Sequence, residues 1–309
     1  MDATRRIAGC CGLPRGYLPG CPPRVAVMAP RGRVRGPSRA LAAWRYRGRV
    51  AAVRASSRAG PGGDWVRAGE RPVLQVDAVS KRVGRGRATR QILCGVELSV
   101  HAGEMVAVLG RSGSGKSTLL HLLGGLDRPD AGSITVCGES LTGASERALS
   151  RIRLRRLGFV FQSFQLIEEL TGAENVLLAA NLPGAPTGGR ERAARLLEDL
   201  GVAAVADRSP HELSGGEQQR FAIARALVND PALVLADEAT GNLDTASGAI
   251  VLELLRGLAA RGRAVVLVTH EPQAAGAADR VLRLSDGVLE PAAEQSQSRP
   301  GHGARHPAP

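Results

Sequence analysis

The residues Gly110-Arg111-Ser112-Gly113-Ser114-Gly115-Lys116-Ser117 fit the pattern G-x-x-x-x-G-K-[ST], and their flanks fit it as well. Upstream, Met105-Val106-Ala107-Val108-Leu109 is a short continuous apolar run, which predicts a strand buried on both faces of a parallel sheet. Downstream, Ser117-Thr118-Leu119-Leu120-His121-Leu122-Leu123 predicts the first turns of a helix. Glycines let the backbone curl between the two, so that successive N–H groups and the helix N-terminus converge on one anion. Lys116 adds a compact charge for β- and γ-phosphates, and Ser117 is placed to ligate magnesium. With 39 Gly among 309 residues a glycine-rich match alone says little; the strand and helix around it make it specific. A chain with this feature is constrained to an α/β fold built on parallel strands.

The formal charge of +12 would suggest a nucleic-acid or membrane-surface partner if it were spread over the molecule. It is not. Residues 1–72 carry 15 Arg against 3 acidic residues, and the remainder carries 26 basic and 26 acidic residues. The leader is rich in Arg, Gly, Pro and Ala without helical or strand periodicity, so it reads as disordered. Ile7-Ala8-Gly9-Cys10 resembles a lipoprotein cleavage box, but no apolar region of roughly 7 to 15 residues precedes it. A binding arm for nucleic acid or anionic lipid, or a start site placed too far upstream, would each account for the leader. The five cysteines, Cys10, Cys11, Cys21, Cys94 and Cys137, fit no metal spacing and are expected as free thiols in a cytosolic protein. No run reaches about 18 uninterrupted apolar residues, so membrane association is expected only through a partner.

From residue 73 onward the pattern is that of folded structure. Residues 74–79 and 92–100 alternate apolar and polar, as in a half-exposed antiparallel sheet, with a turn-rich connection over 82–90. Further strands are expected over 134–138, 158–161, 233–238 and 264–269. Helices are expected over 147–157, 173–180, 190–200 and 221–228, the first with Arg151, Arg153, Arg155 and Arg156 on a solvated side. The breaker Pro183-Gly184-Ala185-Pro186 separates two of these helices, which together suggest a helical insert between strands of a larger sheet.

The octet Leu213-Ser214-Gly215-Gly216-Glu217-Gln218-Gln219-Arg220 is a second anion site by composition. Its small residues permit close approach, and a hydroxyl stands at a helix N-terminus. It resembles the signature of ATP-binding-cassette (ABC) ATPases and follows a phosphate loop in the order that family shows. Leu233-Val234-Leu235-Ala236-Asp237-Glu238 resembles the family's Walker B strand, a buried run ending in two carboxylates. Gln162 matches the Q-loop glutamine, His270 the switch histidine, and Asn242-Leu243-Asp244 the D-loop. The resemblance covers residues 73–290, and the runs Gly158 to Leu166, Glu174-Asn175-Val176 and Thr240 to Asp244 look like the branch of macrolide-export, lipoprotein-release and cell-division ATPases.

The resemblance implies an α/β fold: a P-loop NTPase (RecA-like) core with an antiparallel β subdomain and an α-helical subdomain over about residues 163–213, flanked by disordered N- and C-terminal extensions, 1–72 and 291–309. It implies ATP and Mg2+ as ligands, with Gly110, Arg111, Ser112, Gly113, Ser114, Gly115, Lys116, Ser117 and Thr118 around the phosphates. Ser117, Gln162 and Asp237 fall at the metal. Glu238 is implied as general base, with His270 at the γ-phosphate and Gln162 sensing metal and water. Ser214, Gly215, Gly216 and Asp244 would close the site of a second subunit in a head-to-tail homodimer. The implied partner is an integral membrane permease, which would hold the chain at the inner face of the cell membrane; no specific nucleic-acid partner is expected. Two positions depart from the family pattern: Val83 stands where an aromatic usually stacks on adenine, and Ala239 where Pro usually follows the catalytic Glu. The alternative is a soluble ABC ATPase associated with DNA or ribosomes, but the stretch between Ser117 and Leu213 has neither heptads nor paired cysteines, and only one cassette is present.

Overall fold

The structure is a computed structural model that describes residues 71–84 and 89–292. The sequence-based expectations for residues 1–70, for 85–88 within the turn-rich connection, and for 293–309 lie outside the described residues.

Two sheets share the first core. β1 (Leu74–Val83) and β2 (Arg90–Val100) pair antiparallel, with β4 (Ala131–Val136) and the short β5 (Glu139–Ser140) completing a four-stranded sheet in the order β2-β1-β4-β5. The alternation read over 74–79 and 92–100 is therefore a two-faced antiparallel sheet, but both strands run further than expected and the connection is shorter. The second sheet has the order β10-β9-β3-β8-β7-β6, formed by β3 (Met105–Leu109), β6 (Leu157–Val160), β7 (Leu233–Asp237), β8 (Ala264–Thr269), β9 (Arg280–Ser285) and β10 (Val288–Pro291). Its strands run parallel except β10, which returns antiparallel at the edge.

Continuous apolar runs make these parallel strands because both faces are covered. Val106, Val108, Leu233, Leu235, Val266 and Val268 pack toward the small sheet and α1 (Lys116–Leu123). Met105, Val234, Ala236, Val265 and Leu267 pack on the opposite face against α5 (Gly215–Leu227) and α6 (Thr245–Ala260). Each strand thus feeds two cores from alternate residues.

Between β6 and β7 lie α3 (Gly172–Ala180), α4 (Gly189–Asp199) and α5, which pack together as the helical insert anticipated from the sequence. Other details differ from the reading of the sequence: β4 ends at Val136, so Cys137 and Gly138 lie outside the strand expected over 134–138. Phe161 lies outside β6, whose parallel pairing with β7 ends at Val160 opposite Ala236. The arginines of α2 (Glu146–Arg156) are not simply solvated: Arg153 donates to the Gly125 carbonyl at 2.7 Å, Arg155 to the Gly184 carbonyl at 3.0 Å, and Arg156 pairs with Glu139 at 3.3 Å. α7 (Pro272–Ala275) follows β8. Among the described residues no helix is long and apolar enough to cross a membrane.

Candidate active site

In an open parallel sheet, ligands bind beyond the carboxyl ends of the strands. Four neighbouring strands here, in the order β3-β8-β7-β6, end in the residues that the sequence singled out. β3 leads into Gly110 to Ser117, β8 into His270, β7 into Asp237 and Glu238, and β6 into Gln162. Strand order converts four distant stretches of sequence into one row.

The phosphate loop is shaped by its glycines. Gly113 and Gly115 lie at φ of +78° and +102°, and a Cβ on Gly110 would come within 2.6 Å of Ser114 Oγ and 2.8 Å of the Leu284 carbonyl oxygen. Lys116 is buried and its Nζ donates to the carbonyls of Gly110 (2.9 Å) and Arg111 (3.1 Å), so the side chain folds back across its own loop. The N–H groups of Lys116, Ser117 and Thr118 open α1 and lack partners within the helix, as at any helix start. Ser114 Oγ is buried and has no hydrogen-bond partner among the described residues. Such an orphan beside a glycine cradle is what an anion with several acceptor and donor atoms would satisfy.

Glu238 stands at the centre of the row. Its Oε1 is 3.7 Å from Lys116 Nζ and 3.1 Å from His270 Nδ1. Its backbone is left-handed at φ +44°, a conformation costing about 1 to 3 kcal/mol for a residue with a Cβ. Two bonds hold it there: its N–H donates to the Val268 carbonyl, and its carbonyl accepts from Gly241 N–H, both at 2.9 Å. The turn that Ala239 enters is fastened as well, because Gln219 Nε2 of α5 donates to the Ala239 carbonyl at 2.8 Å.

Asp237 is half-buried, and its Oδ1 accepts no hydrogen bond. Burial pushes its carboxyl above the ordinary carboxylate range; the nearby Ser117 hydroxyl opposes the shift and the Glu238 charge reinforces it. A buried, unsatisfied carboxylate oxygen beside a serine hydroxyl is a hard-oxygen donor set, which fits Mg2+. Gln162 follows β6 and lies against the loop after Glu238: its Nε2 lies 3.0 Å from where a Cβ on Gly241 would stand, and its carbonyl accepts from Asn242 Nδ2 at 3.0 Å.

The remaining predicted residues form a separate cluster. Ser214 caps α5 through a capping box, accepting from Glu217 N–H at 3.3 Å while its own N–H and hydroxyl donate to Glu217 Oε2 at 2.8 Å. Those donations, the backbone one first, hold the Glu217 carboxyl below the usual range. Asp244 caps α6, accepting from Ala246 and Ser247 N–H at 3.0 Å. Gly215 and Gly216 lie against the loop and helix that Asp244 caps, where Cβ atoms would meet Leu243 at 3.7 Å and Ser247 Oγ at 2.9 Å. Among the described residues no hydrogen bond or ion pair joins Ser214 to the phosphate loop.

Sequence reasoning named Gln219 only within the signature octet and Asn175 only within a family motif, without a role for either side chain, and did not name Arg225. Asn175 is wholly buried; its amide donates to the carbonyls of Ile167, Leu170 and Thr171 and accepts from Ile167 N–H. A polar residue on the apolar face of a helix was the available signal.

A phosphate loop after β3, a pair of carboxylates at the end of β7, with β8 between the two strands, and a capped signature helix define a nucleoside-triphosphate hydrolase of the cassette type. The sequence matches the family described as ABC transporter over residues 93–241. It is 48% identical over 227 residues to the lipoprotein-releasing system ATP-binding protein LolD of Shewanella sp. (strain MR-4), covering 73% of this chain and 98% of that one. It is 46% identical over 220 residues to the macrolide export ATP-binding/permease protein MacB of Nitrosomonas europaea, covering 71% of this chain and 33% of that longer one. The fold is similar to the dimeric, post-hydrolysis structure of the ATP-binding cassette MJ0796 bound to ADP and Pi. That match has a TM-score of 0.65 at 38% identity and covers 71% of this chain and 98% of that one. The chain belongs to the ABC transporter family, as an ATP-binding, ATP-hydrolysing subunit of the lipoprotein-release and macrolide-export branch.

Proposed function

We propose that residues 73–290 form the motor of a transporter whose membrane-spanning permease is a separate chain, and that ATP closes two copies head to tail. The observation that carries the reading is the position of Glu238, between Lys116 and His270 at the edge of the sheet. Its carboxylate takes the proton of the attacking water, His270 steadies the carboxylate, and Lys116 with the loop N–H groups binds the phosphates. Ser117, Asp237 and Gln162 would hold Mg2+, which when bound offsets phosphate charge. The near-complete overlap with an ATP-binding protein of a lipoprotein-releasing system supports a separate permease and a peripheral position on the membrane. The dimeric form of the cassette MJ0796 supports pairing.

The test is Glu238→Gln, which keeps shape and removes proton acceptance. Hydrolysis should fall by at least about a hundredfold while ATP still binds, and an ATP-bound dimer should accumulate in size-exclusion chromatography. A Glu238→Gln protein that turns over at the wild-type rate would remove Glu238 from this role. A chain trimmed to about residues 71–292 should bind and hydrolyse ATP as the full chain does, since every proposed site residue lies within it.

A further inference from the structure

The loop that leaves β6 turns through Phe164 at φ +57° and Gln165 at φ +51°. Two successive left-handed residues with side chains are unfavourable and persist only where their surroundings fix them. Arg225, in the last turn of α5, does so: its Nη2 donates to the Phe164 carbonyl at 2.8 Å and its Nη1 to the Gln165 carbonyl. Arg225 is half-buried, which lowers its pKa, and no carboxylate among the described residues pairs with it. Its two-pronged donor set is spent on the loop.

We propose that Arg225 is a positioning residue for Gln162: it straps the loop carrying Gln162 to the helix carrying Ser214. Gln162 precedes the strained turn by one residue, so relaxation of that turn shifts Gln162 relative to Gly241 and Glu238. The other end of α5 touches the same loop, since Phe164 Cζ lies 3.7 Å from where a Cβ on Gly215 would stand. Between these two contacts Gln219 bonds the carbonyl of Ala239, next to Glu238. One helix therefore holds the loops that carry Gln162 and Glu238, and any movement of Ser214 is felt at both. The proposal rests on the reading of Gln162 as a hydrolytic residue.

The experiment uses the full chain and compares Arg225→Lys, Gln165→Val and Gln162→Ala for kcat, for nucleotide Kd and for amide hydrogen exchange over residues 163–166. Lysine keeps the charge and stem but cannot reach two carbonyls as a fork. Valine strains the turn from the loop side and leaves α5 untouched, so it serves if Arg225→Lys folds poorly. Both should lower kcat about tenfold, the scale of a small misplacement of a reacting group, with Kd changed by less than about twofold. Exchange over 163–166 should accelerate in both. Adding Gln165→Gly to Arg225→Lys should recover most of the lost kcat, because glycine takes positive φ without a strap. The strap is overturned if Arg225→Lys and Gln165→Val leave kcat unchanged, or if kcat falls with exchange over 163–166 unaltered. Wild-type turnover in Gln162→Ala would overturn the role of Gln162, while the exchange data would still decide whether Arg225 holds the turn.

Discussion

Val83 faces Arg90 across the β1–β2 pair and is 51% exposed. Beside it, Arg90 and Arg111 line a cavity of about 510 Å3 on the outer side of the phosphate loop. An aliphatic side chain at this place offers a base no stacking face, so selection between adenine and guanine is expected to be weak. Val83→Tyr should strengthen ATP binding by about 1 kcal/mol or more, and GTP should compete less well afterwards. Equal Kd values for ATP before and after the change would show that the position does not face the base. Residues of this kind were legible because the family pattern names them one by one. Lys116, Asp237, Glu238 and Gln162 were legible for a related reason, since each sits within a few residues of a strand end that the apolar pattern marks. Arg225 and Gln219 were not, because their partners lie 60 and 20 residues away in sequence and become neighbours only when α5 packs beneath β6 and β7.

At the scale of elements, the sequence marked the parallel strands well and the starts of α1, α2, α3 and α4 to within one residue, but not the start of α5. The signature helix was expected from Phe221, since Gly215 and Gly216 disfavour helix, but the capping box of Ser214 and Glu217 starts it at Gly215. α6, β9 and β10 were not anticipated as elements: Ser247 and Gly248 are weak helix formers near the start of α6, and the alternation of β9 and β10 is brief. The cap carries a pH signature. Because the Glu217 carboxyl is held below its unfolded range, its contribution is present at neutral pH and is lost as pH falls through the folded value. Glu217→Gln keeps the box and removes the charge, so it should cost about 0.5 kcal/mol at pH 7 in urea unfolding, a small figure because the group is largely solvated. The difference should shrink once pH drops below about 4.3, the unfolded glutamate range. A deficit that persists unchanged in acid would mean that the charge contributes nothing. Asn175 is the stronger pin. Asn175→Ala strands the Ile167 N–H and three carbonyls near the start of α3, and should cost about 2 to 3 kcal/mol in the same assay. A cost below about 0.5 kcal/mol would show that water or the loop itself replaces these bonds.

At the scale of the molecule, no hydrogen bond or ion pair among the described residues joins Ser214 to the phosphate loop. Lys116 and its row occupy the carboxyl edge of the parallel sheet, whereas Ser214 and Asp244 cap two helices side by side. In the single chain the hydroxyl of Ser214 is donated to Glu217, so it must turn outward before it can meet a phosphate. The proposed head-to-tail pairing would supply that phosphate from a second copy, and each composite site would then depend on residues from both subunits. Lys116→Ala removes the loop charge, and Ser214→Arg blocks the signature end. In a heterodimer of these two proteins, one interface joins both defects and the other joins an intact loop to an intact signature. ATP-dependent dimerisation should therefore reappear in the mixture while each variant alone remains monomeric, as read by differently tagged copies in size-exclusion chromatography. If each copy instead used its own Ser214, every site in the mixture would carry a defect and no mixed dimer would form, which would exclude the head-to-tail arrangement.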